Sequence, residues 1–546
     1  MGPLVALVLA AIGTWPLVLS GAGSVQAHPL REGGATASGH VQAWGLWSAG
    51  GPSGPFLERR VAAPGGVFIG EGEHGAAWRV LGSQLSELVG THRAADLLTL
   101  GILALSGWLA FRVGRVLRLS RLQSILAALL WVASPALIER GLTSHAGLAP
   151  PMLPAAVLLA TAIVQLRAPL AAALALGAVG ALAAAVGEGT AIATACAALV
   201  GAFLARGSMP RVVGGSTVVA LGLALAASTT LAAALWVDAE RDQARGHGVA
   251  SAETGTPRSV AGMPGSALPE GIEAAAIDRR PIAGPSPFHP LARLMAAERS
   301  AGSGRPAPAI GLAAIGLGAL VVLRVPRWRH PAVLALVGLA GAALSRSLML
   351  EAALLPLSIL AMAFVAARGL ATVRKKSLAM AVCALALLEL AAVPWPLARW
   401  SSSANLDRLA VSPVRGSVLD LPVRAGPQAA HSRQTVHQRS TPLALYPERS
   451  QGSLEALVQR APAAGHLLLG QVPPDPDQLA AELEWIGVGH LLVEIGSMLP
   501  AVVDALDSLP GWERAPDDGV VHWWYRTRGL WTADAAVGES SPDSAH

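Results

Sequence analysis

Two glutamates and a histidine fall together in "IGEGEHG", where Glu71 and Glu73 occupy alternate positions and His74 follows directly. In an extended segment alternate side chains share a face, so the two carboxylates would point the same way. Such a pair binds a metal ion or a hydroxyl group; a solvated Gly-rich loop is the other reading. Upstream, "ASGHVQAWGLW" sets His40 ahead of Trp44 and Trp47. An imidazole titrates close to neutral pH and suits a general base. Downstream, "ASPALIERGLTSHAGL" puts Glu139 beside Arg140, with His145 close behind. A guanidinium in that place suits a phosphate, and ordinary interfacial polarity is the alternative. Glu58 neighbours Arg59 and Arg60 and reads as a surface ion pair, whereas Glu188 lies between two apolar runs. Near the far end of the chain, Asp420 stands in "GSVLDLPV" and His437 in "RQTVHQRSTP". Each either touches a ligand or serves its own turn or loop.

Whether these groups can meet depends on the compartment each one faces. The chain has 546 residues, 53% of them hydrophobic and 14% charged, with a mean hydropathy of +0.51. Soluble chains carry about 25% charged residues. Apolar runs of about 20 residues recur, long enough to cross a bilayer as helices. Eleven spans are expected, at 3–21, 95–112, 122–138, 150–166, 170–187, 189–205, 212–237, 308–323, 331–347, 351–367 and 377–394.

Charge orients them. The ends of the second, fourth, sixth, eighth and tenth spans carry fourteen basic residues: Arg112, Arg115, Arg118, Arg121, Arg167, Arg206, Arg211, Arg324, Arg327, Arg329, Arg368, Arg374, Lys375 and Lys376. Short connections on the other side offer only Arg140 and Arg346. Basic ends face the cytoplasm, which leaves segments 22–94, 238–307 and 395–546 outside the inner (cytoplasmic) membrane. The first span is expected to be a retained helix, although "SVQA" before His28 resembles a signal-cleavage site. The net charge of +5 comes almost wholly from arginine and is a topology signal rather than a sign of nucleic-acid binding. Cys196 and Cys383, both in apolar runs, offer no disulfide framework or metal cluster.

The segment 238–307 is rich in Gly, Pro, Ala and Ser and reads as irregular, with a short interfacial helix expected in "SPFHPLARLMAAERS". The last third changes character. "GSVLDLPV", "GHLLLGQV", "VGHLLVEIG" and "GVVHWWYRT" read as strands. "DPDQLAAELEWIG", N-capped by Asp475, and "MLPAVVDALDSLPG" read as helices. The alternation points to a small α/β domain.

The order of these features resembles the bacterial polytopic membrane glycosyltransferases of the GT-C type, which use lipid-phosphate sugars. In that family one helix leads into an external loop with a "GD" motif, a Trp-containing run, a "PGG" stretch and an "LxxLxG" entry to the second helix. The corresponding stretches are "SGHVQAWGLW", "APGGVFIGEGEH" and "LSELVGTHRAADLL". The family's third helix tends to end near "SP" with a histidine soon after, matching "ASPALIERGLTSHAGL" and His145. Its external tail has counterparts in "VLDLPV", "RQTVHQRSTP" and "GVGHLLVEI".

The resemblance implies an α-helical polytopic membrane protein with a C-terminal extracytoplasmic α/β domain, working on a polyprenyl-phosphate-linked sugar and an envelope glycan acceptor in contact with the lipid bilayer. It assigns catalysis to the first loop. The family's Asp, a base or a metal ligand, is replaced here by His40, which can take a proton but cannot supply an anionic oxygen to a divalent cation. Glu71 and Glu73 would supply the missing carboxylate. Trp44, Trp47, Trp78 and His74 would face the sugar, and Glu139, Arg140 and His145 the donor phosphate. Asp420 and His437 would face the acceptor, and Trp395 and Trp400 read as interfacial anchors. A degenerate, non-catalytic relative acting in membrane assembly or glycan binding is the competing expectation. A secondary transporter would show internal inverted repeats, and none is evident. No P-loop, dinucleotide fingerprint, HExxH or nucleophile elbow points to a cytosolic nucleotide-using enzyme.

Overall fold

A computed structural model describes residues 3–15, 17, 24–26, 57–58, 67–68, 76–138, 149–165, 169–186, 188–205, 308–345, 348–373, 375–390, 395, 397–399, 403–421, 433–434, 436–437, 439–441, 461–468, 470–496 and 498–527. The chain divides into two compact units. One comprises Met1–Ala49, Ile69–Gln243 and Gly255–Ala398; the other comprises Gly50–Phe68, Ala244–Thr254 and Arg399–His546. Segment 286–300 lies outside the described residues, as does the seventh expected span.

The first unit is helical. Its described helices are α1 (Pro3–Gly13), α2 (Ala76–Val89), α3 (Thr91–Val116), α4 (Arg121–Val132), α5 (Ala149–Val164), α6 (Pro169–Val186), α7 (Glu188–Ala205), α8 (Leu312–Arg324), α9 (Pro326–Leu344), α10 (Leu348–Gly369) and α11 (Lys376–Leu390). Among the described residues, two stretches are long and apolar enough to cross a membrane, Thr91–Val116 and Ala353–Thr372; the other apolar helices are shorter. Helix α1 stops at Gly13 where a run to position 21 was expected, and α4 stops at Val132 rather than 138. Pro135 explains the second difference: a proline has no N–H to donate and biases the residue before it away from helix.

One hydrophobic core joins α3 through α11. Trp131 is fully buried in it and satisfies its indole N–H on Ser106 Oγ at 2.8 Å. Small residues let α5 and α7 meet closely: a Cβ on Gly201 would fall 2.4 Å from the Val157 carbonyl oxygen.

The turn between α3 and α4 is unusual. Leu119 N–H donates to Gly114 O and Arg118 N–H to Arg115 O, the paired bonds of a Schellman helix end. The left-handed position of that motif normally holds Gly, yet here it holds Arg118, at φ 59°. An L-residue other than Gly, Asn or Asp in that conformation costs on the order of 1 kcal/mol. Helix α4 then begins with a capping box, Ser120 and Gln123 exchanging side-chain and backbone bonds.

The second unit carries a short antiparallel pair, β1 (Leu57–Glu58) and β2 (Val67–Phe68), and a larger α/β body. That body runs α12 (Ala404–Ala410), β3 (Ser417–Leu421), α13 (Pro462–Leu468), α14 (Pro476–Trp485), β4 (Val488–Glu494), α15 (Pro500–Asp507), β5 (Trp512–Arg514) and β6 (Val521–Arg526). The sheet order is β3-β4-β6-β5, with β3 and β4 parallel and the other pairings antiparallel. Strand β4 is buried along nearly its whole length, as a central strand covered on both faces should be. Asp475 caps α14 through the Asp477 amide at 2.9 Å, and Gly487, at φ 74°, turns the chain from α14 into β4.

The expected strand in "GHLLLGQV" instead begins as the end of helix α13, which runs to Leu468. A run that is apolar at almost every position has no diagnostic period. The carboxylate of Glu482 on α14 accepts the Ala464 amide at 2.9 Å, satisfying one of the free N–H groups at the α13 start.

Candidate functional site

At one end of the helical unit four chain segments come together. The Trp395 amide donates to the Trp15 carbonyl at 2.6 Å, and Leu17, Ile138 and Trp395 form a buried cluster with Leu103 and Leu397 against it. Ser134 Oγ, just past α4, donates to Ala309 O at 2.7 Å. Glu389, near the end of α11, accepts the Leu312 amide and, at 2.8 Å, the Ala313 amide, capping α8. A carboxylate there satisfies orphan N–H groups and complements the positive end of the helix dipole. The exits of α1, α4 and α11 and the entrance of α8 therefore lie at the same end of this unit.

His40, Trp44, Trp47, Glu71, Glu73, His74, Glu139, Arg140 and His145 lie outside the described residues, as does Trp400. Trp78 falls on α2, Glu58 on β1 and Glu188 at the start of α7. Trp395 is buried within the helical unit.

The two site residues expected in the tail are described, and both are buried. Asp420, on β3, accepts from Arg433 Nε through Oδ2 at 2.7 Å, and Arg433 Nη1 reaches Glu494 Oε2 at 3.4 Å. Asp420 and Arg433 are 8% and 9% exposed, Glu494 47%. The cation thus sits between two anions, one buried and one at the surface. Burial raises the Asp420 carboxyl above the usual range, opposed by the charge and hydrogen bond of Arg433. Burial also works against the Arg433 charge, but Asp420 and Glu494 outweigh it and hold Arg433 protonated. Among the described residues Asp420 Oδ1 has no hydrogen-bond partner.

His437 is 3% exposed, and its Nδ1 accepts the Arg439 amide at 3.1 Å. Burial, with His490, Arg439 and Arg433 nearby, lowers its pKa to about 3. His490, fully buried on β4, is satisfied on both nitrogens: Nε2 lies 2.9 Å from Val414 O, and Nδ1 accepts from Trp523 Nε1 at 3.3 Å. This pattern assigns the neutral Nε2–H tautomer, and burial with the Arg439 charge lowers the pKa to about 4. Arg439 donates to the carbonyls of Leu409, Ser412 and Val414, pinning the segment that leads into β3. The Val418 amide donates to Ser440 O at 2.7 Å, so the two motifs "VLDLPV" and "RQTVHQRSTP" lie side by side.

Chemically this cluster holds rather than reacts. His437 and His490 are neutral at pH 7 with no easily gained proton, and Asp420 is tied to a guanidinium. The exposed anion is Glu494. Arg433, Arg439 and His490 all stood inside the quoted motifs, and a buried acid such as Asp420 requires a cation nearby. That requirement was the signal for Arg433. Among the described residues no group of three or more His, Cys, Asp or Glu side chains is arranged to hold a metal ion.

Comparison with solved structures identifies the architecture. The chain superposes on two structures of the arabinofuranosyltransferase AftD from Mycobacteria, with TM-scores of 0.53 and 0.51 and identities of 18% and 16%. In both cases 97% of this chain is covered. The fold is thus shared with these arabinofuranosyltransferase structures. The chain spans only 42% and 40% of the two AftD chains. The archaeal oligosaccharyltransferase AglB from Archaeoglobus fulgidus, in complex with an inhibitory peptide and a dolichol-phosphate, also matches, at a TM-score of 0.46 and 12% identity over 97% of this chain and 74% of that one. No protein-family model and no curated protein matches the sequence.

Proposed function

We propose that the chain is an integral membrane glycosyltransferase of the inner membrane, transferring a sugar from a polyprenyl-phosphate donor to an extracytoplasmic glycan acceptor. The fold shared with the arabinofuranosyltransferase structures over nearly the whole chain is the observation that carries the reading. Eleven spans then place the first loop and the C-terminal domain on one side. The apolar donor tail stays in lipid while its sugar phosphate reaches the outer pocket. His40 accepts the proton of an acceptor hydroxyl, that oxygen bonds to the anomeric carbon, and the bond from that carbon to the phosphate oxygen breaks. The departing group is polyprenyl phosphate, met by Arg140, with Glu139 and His145 beside it. Glu71 and Glu73 orient the sugar hydroxyls, and a divalent cation, where one takes part, falls to them. Trp44, Trp47 and His74 form the sugar platform. In the tail, Asp420 and His437 fix the strand and loop that hold the acceptor.

The experiment is turnover of a synthetic polyprenyl-phosphate sugar by the full chain in lipid nanodiscs, for wild type, His40→Ala and Glu73→Ala. Removing a general base lowers turnover by about 10²–10⁴-fold. Measurable wild-type turnover that neither substitution changes overturns the site. One observation favours a second reading: the family's loop Asp is His40 here. A degenerate relative would bind the lipid-linked sugar without consuming it, and binding without turnover in the same nanodiscs selects that reading.

A further inference from the structure

The end of α3 opposite the converging exits has a cavity of about 510 Å³ lined by Phe111, Arg112, Arg115, Val116, Arg118 and Gln165. Three guanidinium groups share a space of this size with an apolar wall. Arg112, Arg115 and Arg118 are all exposed, and among the described residues none is ion-paired. Arg115 spends one N–H on the Leu119 carbonyl at 2.6 Å, which fixes its side chain at the cavity rim.

The backbone supplies an independent argument. Arg118 occupies the left-handed position of a Schellman motif, where Gly fits without strain. The turn is over-determined by its own hydrogen bonds and by the capping box that follows it, so the strained residue is held in place rather than relieved. Strained backbone of this kind clusters at ligand sites. Arginine at this point is a poor choice for the turn and a good one for an anion in the cavity.

We propose that this cavity binds the phosphate of an anionic phospholipid headgroup. Guanidinium forks match phosphate oxygens in pairs. Phe111 and Val116 offer apolar surface to the start of the acyl chains, at the end of a helix long and apolar enough to span the bilayer. Basic pockets between helices at a membrane surface recognise lipid headgroups in this way. The inference rests on the membrane reading of α3 and is independent of whether sugar transfer occurs.

The test uses the full chain extracted from nanodiscs of phosphatidylcholine containing phosphatidylglycerol, with retained lipid counted by native mass spectrometry. Wild type is expected to keep phosphatidylglycerol through extraction. Each guanidinium near the surface contributes about fivefold in affinity, so Arg112→Gln with Arg118→Gln should lose about twenty-five-fold. Arg118→Gly separates the site from the fold: it should raise the melting temperature by relieving the left-handed strain while lowering lipid retention about fivefold. Three results overturn the proposal: unchanged retention in these variants, equal loss on neutralising Arg327 and Arg329, or displacement of the lipid by millimolar inorganic phosphate. The last would mark a soluble-phosphate site. None depends on turnover, so failure here and failure of the glycosyltransferase reading are told apart.

Discussion

Replacing Arg433 by methionine removes the counter-charge of a buried carboxylate while keeping much of the side-chain volume. Asp420 is 8% exposed and its Oδ2 lies 2.7 Å from Arg433 Nε, so the pair is close and nearly dry. Deleting one partner of a buried pair costs about 3–5 kcal/mol, because the remaining charge stays out of water. Glu494 is 47% exposed and 3.4 Å away, so its share is small beside that of Asp420. At about 1.4 kcal/mol per factor of ten, local opening of β3 becomes roughly 150- to 4,000-fold easier. Hydrogen–deuterium exchange of peptides covering Ser417–Leu421, measured on the full chain at pH 7, reads this directly as lost protection. The sign of the pH dependence follows. Without Arg433, burial and Glu494 both push the Asp420 carboxyl further up. A folded-state pKa raised above the unfolded one gives stability that is full at low pH and lost as pH rises through the raised value. The variant should therefore lie closer to wild type at pH 5 than at pH 8. Adding Asp420→Asn should recover part of the loss, since a neutral amide carries a smaller desolvation penalty. Loss of less than about tenfold at pH 7, or a double variant no better than Arg433→Met, would refute the claim that an uncompensated charge is the cause.

Other expectations follow from the same geometry. His490 and His437 are held neutral, with pKa values of about 4 and about 3. Their stabilisation is complete above the unfolded value of about 6.5 and is lost as pH falls through the folded values, by on the order of 3 kcal/mol for His490. His490→Gln should shift the acid midpoint of C-terminal-domain unfolding downward, and an unchanged midpoint would count against the burial argument. A Cβ on Gly489 would lie 2.2 Å from the Arg415 carbonyl oxygen, so Gly489→Ala should loosen the β3–β4 edge, measured as faster exchange at Val488–Glu494. With Cys196 and Cys383 replaced by Ser, single cysteines at Ser38 and Ser540 should both react with an impermeant maleimide on intact cells, and one at Arg327 only after permeabilisation; opposite behaviour of the first two defeats the topology. If His40 is the base, kcat/KM should fall below about pH 6.5, and His40→Asp should move that limb down toward about pH 4. A limb that stays in place in His40→Asp assigns the base elsewhere.

Much of the fold was legible because its signals are local. Asp475 announced α14 as an N-cap before an amphipathic run, and the continuous apolar run of "VGHLLVEIG" announced a strand covered on both faces. The sequence of 465–472 does not mark its first half as helix, because its leucines run consecutively and show no period; what decides for helix up to Leu468 is distant: the Glu482 carboxylate on the Ala464 amide. Helix ends were misplaced for a similar reason. Glu389 caps α8 from α11, a contact that no window of sequence around Leu312 contains. At the tail cluster the sequence named the buried acid and the buried histidine but not their partners. Burial of Asp420 is a property of the finished sheet, and only once it is buried does Arg433 become necessary.

The tail cluster also bears on where the chemistry can lie. A base must be able to take a proton near neutral pH and must not already be committed to a stronger partner. Asp420 fails the second requirement through Arg433, and His437 and His490 fail the first because burial holds them neutral down to strongly acidic pH. Glu494 is half exposed and lies 3.4 Å from Arg433 Nη1. Asp420, His437 and His490 therefore serve to hold their own strands, and none of these three is poised for proton transfer. We therefore keep the proposed base in the first loop, at His40, because imidazole is the side chain whose ordinary pKa lies nearest neutral pH.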